Sequence, residues 1–208
     1  MVKIHKVQGD ISPKIALSFK GSIAIDTEAT GLQIPERDKL SLIQICGENE
    51  DVFIIQPNRT TYNAPNLVSV LENDKIQKIG HYLRFDKSAL EFFLKCKIKN
   101  IFDTKIASKI CRTYTDSHGL KNLVQEFCNK NLDKRQGSSD WNKDINELSD
   151  KQLEYAANDV IFLHKIKDEL EKMLIRENRI DLYNRCLNFL NTRIELDQSG
   201  FKFDIFEH

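Results

Sequence analysis

Ser22-Ile23-Ala24-Ile25-Asp26-Thr27-Glu28-Ala29-Thr30-Gly31-Leu32 is an apolar alternating run that ends in two carboxylates one residue apart. In a strand, residues i and i+2 project to the same face. Ala24, Asp26 and Glu28 are therefore expected along one side, with Ile23 and Ile25 entering a core on the other. Two acids side by side repel, and one takes up a proton unless a cation sits between them. A hard divalent ion, which prefers oxygen ligands, satisfies such a pair. D-x-E also occurs on solvated strands, so this stretch needs partners elsewhere in the chain.

The rest of the 208 residues sets bounds on those partners. The length suits one well-buried domain. Hydrophobic residues make up 40% and charged residues 30%, an ordinary globular composition, and no apolar run is long enough to cross a bilayer. The start, Met1-Val2-Lys3-Ile4-His5-Lys6, lacks the apolar core of a signal peptide, which predicts a cytoplasmic protein with no membrane partner. Five widely spaced cysteines, Cys46, Cys96, Cys111, Cys128 and Cys186, without a C-x-x-C, suit reduced thiols rather than a disulfide framework or a zinc site. The 31 basic and 31 acidic residues cancel, which disfavours a long duplex held by a lysine stripe and favours, for any nucleic-acid ligand, a short one held by metals.

In chain order, a polar lead-in precedes a strand over Ser22–Asp26. Lys39–Cys46 and Asp51–Ile55 read as two more strands, joined at Gly47-Glu48-Asn49-Glu50 as an antiparallel hairpin. Pro65 marks the first turn of a helix running to Leu71. Lys75–Gly80 reads as a strand before a helix over Phe85–Cys96, and Ile101-Phe102 as a short strand before helices over Thr104–Cys111 and Leu120–Cys128. A polar loop from Asn129 to Asn146 carries Trp141, which is expected to pin that loop to the core. Ser149 with Gln152 forms a capping box, and Leu148 with Leu153 a staple, for a helix whose apolar stripe runs from Leu153 to Leu174. A last helix over Arg179–Gln198 stops near Gly200, and the aromatic tail from Phe201 to Phe206 needs something to dock on. Strands followed by alternating strands and helices give an α/β fold with a mixed sheet.

Asp86 falls at the start of a helix, just after the strand ending at Gly80. Asp159 lies on the well-capped helix, one turn beyond Tyr155 on the same face. By itself Asp159 is either exposed on an outer stripe or held inward by a partner. The order of D-x-E closing a strand, an aspartate opening a helix, and Y-x-x-x-D on a late helix resembles the DEDDy 3′-to-5′ exonucleases of the ribonuclease D branch. The resemblance runs from Ile23–Glu28 through Leu132-Asp133-Lys134 and Ser139-Asp140-Trp141 to Glu154–Val160. Further stretches are similar to the nanoRNase C group of small oligoribonucleases. They are His5–Asp10, Thr104–Lys109, Arg112–Asp116, Gln136–Trp141 and Asp204–His208.

That resemblance implies a ribonuclease H-like (DnaQ-like) sheet flanked by helices, forming one exonuclease domain over 1–208. The C-terminal helix and tail, about 178–208, are then available for packing or oligomerisation. It implies two divalent ions, Mg2+ or Mn2+, held by Asp26, Glu28, Asp86 and Asp159, with Tyr155 orienting the attacking water. Ions roughly 3.5 to 4 Å apart can serve both the nucleophile and the leaving oxygen. The implied substrate is short single-stranded RNA down to dinucleotides, with DNA as an alternative, and the implied assembly is a closed homo-oligomeric ring. Trimming of structured RNA 3′ ends, such as those of tRNA, and a metal-free nucleic-acid-binding domain are the rival readings.

Substrate contacts are expected at Thr27 and at three further residues. Leu32 is either a wedge between the last two bases or an apolar loop edge. His81 and Arg84 either cap a 5′ phosphate, Arg by bidentate contact, or serve as a sheet-end residue and a surface ion pair. His118 and His164 read as structural.

Overall fold

A computed structural model describes residues 2–31, 33, 37–132, 139–201 and 203–207. Leu32 lies outside the described residues, as do Asp133-Lys134 and Gln136-Gly137-Ser138 of the motif stretches. Six strands form one mixed sheet: β1 (Ile4–Gln8), β2 (Ser22–Ala29), β3 (Leu40–Gly47), β4 (Val52–Gln56), β5 (Gln77–Gly80) and β6 (Ile101–Asp103), in the spatial order β1-β4-β3-β2-β5-β6. β2 pairs antiparallel with β3 and parallel with β5, and β3 pairs antiparallel with β4 as the hairpin reading requires. β1, not anticipated in the polar lead-in, pairs parallel with β4 at the sheet edge. Its alternating half-buried pattern is that of an edge strand, which leaves little apolar signal.

The helices are α1 (Pro13–Ser18), α2 (Pro65–Leu71), α3 (Leu83–Leu94), α4 (Thr104–Cys111), α5 (Leu120–Leu123), α6 (Asp150–Ile161), α7 (Leu163–Arg176) and α8 (Ile180–Gln198). α5 runs on into a π-helical turn over Val124–Cys128. They cover both faces of the sheet. Ile23 and Ile25 pack among residues of α2, α3 and α8, while Ala24 packs on the opposite face among residues of α4, α6 and α7. The expected division of β2 into two faces therefore holds, but both faces are buried and Ala24 is core as fully as the isoleucines. Trp141 is enclosed in the α6 face of the core. All five cysteines are free thiols.

The capping box forms as read, with the Ser149 hydroxyl accepting from the Gln152 N–H and the Gln152 side chain accepting from the Ser149 N–H. The stripe from Leu153 to Leu174 does not lie on one unbroken helix. The chain turns at Phe162 (φ −90°, ψ −8°), so α6 lies across β2, β3 and β4 while α7 packs on α4 and the other end of β2. Among the described residues no helix is long and apolar enough to cross a membrane.

Candidate active site

The site forms where three elements meet. β2 brings Asp26 and Glu28 to the α6 face, and an irregularity in pairing with β3 falls between Glu28 and Ala29. Such a bulge re-aims the strand end and stops the ladder. α6 supplies Tyr155 and Asp159. Arg59 holds the preceding loop by donating to the carbonyls of Trp141 (2.9 Å), Asn142 (2.6 Å) and Lys143 (3.1 Å). The Trp141 ring stands 6.1 Å from the Tyr155 ring, centroid to centroid, and packs its inner side.

Ligand oxygens of Asp26, Glu28 and Asp159 all lie within 4.8 Å of one another, and each residue is half-buried. Asp86 is outside this triplet but close enough to act on Asp26 electrostatically. It is only 5% exposed and enters from α3, on the far side of β2. The Thr27 hydroxyl donates to it at 2.5 Å. Thr27, expected at the substrate, therefore holds Asp86 in place from the opposite edge of β2.

Burial and like charge lift Asp26, Glu28 and Asp86. Burial, then Asp86, Asp159 and Glu28, raise Asp26 well above the usual carboxylate range. Burial, then Asp159 and Asp86, push Glu28 up to about 9. Burial raises Asp86 to about 7 against the opposing Thr27 hydrogen bond. Each neighbouring charge that shifts Glu28 is another carboxylate. Oxygen-only donors packed at this spacing, with no positive charge among the neighbours that shift Glu28, match what hard divalent cations require. The residues present thus fit a hard divalent cation.

A signed pH dependence follows. Glu28 titrates near 9 folded against an ordinary 4.5, and Asp86 near 7 against 3.8. The folded, metal-free chain therefore holds more protons than the unfolded one, and this stabilisation is complete below the ordinary values and lost as pH rises through about 7 and 9. In EDTA the thermal midpoint should fall across that range, by roughly 5 °C given the partial exposure of Glu28. Because cations displace those protons, the midpoint gain from Mn2+ should grow with pH. A midpoint that rises from pH 6 to 9 in EDTA would contradict the assignment.

Asp103, missed in the sequence reading, organises the Asp86 side of the site. It is 1% exposed at the end of β6. It caps its own helix α4 by accepting from Lys105 (2.8 Å) and Ile106 (3.0 Å), and it also accepts from Leu83 (2.7 Å) and Tyr82 (3.3 Å) at the start of α3. α3 has no side-chain cap of its own and enters through Tyr82 in the left-handed region, φ 70°. An aspartate immediately before a helix is the N-cap signal that could have revealed it. Its second helix could not be read locally. At Gly80 a Cβ would collide with the Leu83 side chain and press on the Ile25 carbonyl, so glycine lets this turn lie close to β2.

His81 sits on that turn with Nδ1 2.9 Å from the Thr104 hydroxyl. Of the two readings of Arg84, the ion pair is the one formed within the chain. Its guanidinium is bidentate to Asp197 of α8, both contacts at 2.6 Å. Residues two apart on a helix do not share a face, which turns Arg84 away from Asp86. His118 bonds the Ser108 hydroxyl, a structural contact.

Comparison with known proteins points the same way. Residues 12–175 match the 3′-5′ exonuclease family. DNA polymerase I of Aquifex aeolicus is 32% identical over 179 residues, covering 81% of this chain and 26% of the polymerase. Ribonuclease D of Xanthomonas oryzae pv. oryzae is 32% identical over 176 residues, covering 82% of this chain and 46% of the relative. The chain thus spans between a quarter and a half of the length of these curated relatives. Brucella melitensis NrnC bound to pGG superposes with TM-score 0.91 at 40% identity, covering 100% of both chains. NrnC with bound Mg2+ gives 0.90 at 40% identity, again over 100% of both.

Proposed function

The chain belongs to the 3′-5′ exonuclease family, and on that premise we propose that it hydrolyses very short single-stranded RNA from the 3′ end, dinucleotides included, releasing nucleoside 5′-monophosphates. The gathering of Asp26, Glu28 and Asp159 within 4.8 Å carries the reading. Together with Asp86 these acids would hold two Mg2+ or Mn2+ ions. When bound, the ions polarise the scissile phosphate, activate water and absorb charge on the departing oxygen.

Tyr155 orients the attacking water. Burial, then Asp159, Glu28 and Asp26, raise its phenol far above the ordinary value. It therefore stays protonated at neutral pH and serves as a hydrogen-bond donor rather than a base. Thr27 acts through Asp86. His81, oriented by Thr104, meets the 5′ side of a short substrate, and Leu32 acts as the wedge between its last two bases. Arg84 instead joins α3 to α8.

The whole of 1–208 acts as one exonuclease domain, working in the cytoplasm as a closed homo-oligomer. Exposed Phe189, Phe201, Phe203 and Phe206 on α8 and the tail supply an apolar surface for such packing. Preference for dinucleotides is supported by full-length similarity to NrnC, which was captured with pGG.

The test is hydrolysis of end-labelled RNA and DNA of two, five and twenty nucleotides with Mg2+ or Mn2+. A dinucleotide RNA turned over at least tenfold faster than the twenty-mer supports the proposal. Progressive trimming of the long RNA at equal rate supports ribonuclease D-like end processing, and equal cleavage of DNA supports a DNA exonuclease.

A further inference from the structure

Gln44 lies in the middle of β3, inside the apolar run Leu40-Ser41-Leu42-Ile43-Gln44-Ile45-Cys46. It is 0% exposed, and neither its Nε2 nor its Oε1 has a hydrogen-bond partner. An enclosed carboxamide with both ends unmet is uncommon in a folded chain. Its position gives it a neighbour. In the β2–β3 ladder Gln44 stands directly opposite Asp26, and on its other side it stands opposite Ile54 of β4. Directly paired residues of antiparallel strands project to the same face, with Cβ atoms about 4.5–5.5 Å apart. The flanking pairs confirm which face it is, because Ala24 with Cys46, and Val52 with Ile54, all belong to the core beneath α6. The amide is therefore roofed by the helix that carries Asp159 and Tyr155.

Resting on the metal-site reading above, we infer that Gln44 is a positioning residue: its side-chain N–H, unmet in the metal-free chain, donates to the Asp26 carboxylate when a cation is bound and fixes that carboxylate as a ligand. A carboxylate has more lone pairs than cation ligation uses, and the lone pairs left over accept hydrogen bonds. Asp26 already accepts from the backbone N–H of Thr27. A neutral donor suits the place, since it steadies an ionised ligand without competing as a cation. It also lies deep in the sheet, where water cannot readily take over the role.

Titration calorimetry of Mn2+ into the substrate-free full chain tests this without turnover. Gln44→Met keeps the volume and removes the amide. Mn2+ binding should weaken about 10- to 100-fold, the usual effect of losing a hydrogen bond behind a ligand. The metal-free thermal midpoint should stay level or rise, because an unpaired polar group has been replaced by an apolar one of similar shape. Turnover of pGG should recover when Mn2+ is raised in proportion. Unchanged Mn2+ affinity in folded Gln44→Met overturns the inference and leaves Gln44 a core residue.

Should that variant not fold, the wild-type side-chain amide signals decide. On Mg2+ addition those of Gln44 should shift, while those of Gln56, bound to the Lys143 carbonyl and the Ile145 N–H, should not. Unmoved Gln44 signals also overturn it. Failure of the metal site itself has a different signature: wild type takes up no Mn2+, or Asp159→Asn binds it as well as wild type does. Either result removes the inference together with the site.

Discussion

Asp159→Asn should lower Mn2+-dependent hydrolysis of a dinucleotide by about a thousandfold while leaving the chain folded. The carboxylate is one of three whose oxygens converge within 4.8 Å, and the only one of those three that does not come from β2. Losing it opens one side of the cation site. Charge stabilisation by bound cations amounts to several kcal/mol in the transition state. A loss of about 4 kcal/mol corresponds to roughly three powers of ten. Stability should move the other way. Asp159 raises the proton affinity of both Asp26 and Glu28, so its removal relieves repulsion in the metal-free chain. The thermal midpoint in EDTA should therefore be unchanged or higher than wild type. Single-turnover kinetics beside thermal melts separates the two effects, and turnover within tenfold of wild type would remove Asp159 from the site.

Asp103→Ala should have the largest effect on the fold, a loss of about 3 kcal/mol or more measured by urea denaturation. Four backbone N–H groups at the starts of two helices converge on this one buried side chain, and among the described residues no other side chain caps the start of α3. Alanine leaves all four without that acceptor, the Leu83 N–H in the interior and the others partly buried. The Asp103 N–H is itself accepted by the Tyr183 hydroxyl at 2.9 Å, so α8 feels the same change. Because α3 carries Asp86, protein that survives the substitution should also lose activity, through misplacement rather than missing chemistry. A change within 0.5 kcal/mol, on the scale of an ordinary surface substitution, would show that the helices are held in some other way.

What could be read from the sequence divides along local and non-local lines. The D-x-E strand, the hairpin, Pro65 at the start of α2 and the Ser149–Gln152 capping box each depend on a few adjacent residues, and each is found in the structure. The gathering of Asp26 and Glu28 with Asp159 came from motif order rather than from periodicity. The partner of Arg84 could not be named because it is 113 residues away on α8, where no local signal points. The break at Phe162 was hidden because the apolar stripe continues through it in phase. Nothing in the sequence singles out Gln44 within its greasy strand. Only the ladder shows that it faces Asp26.

β2 lies inside the sheet, and its acids are completed by a residue on α6, far later in the chain. A polypeptide emerging from the ribosome would display Asp26 and Glu28 early, yet it could not assemble the third donor until residue 159 had cleared the exit tunnel. The cation site is thereby completed only after most of the chain has been made.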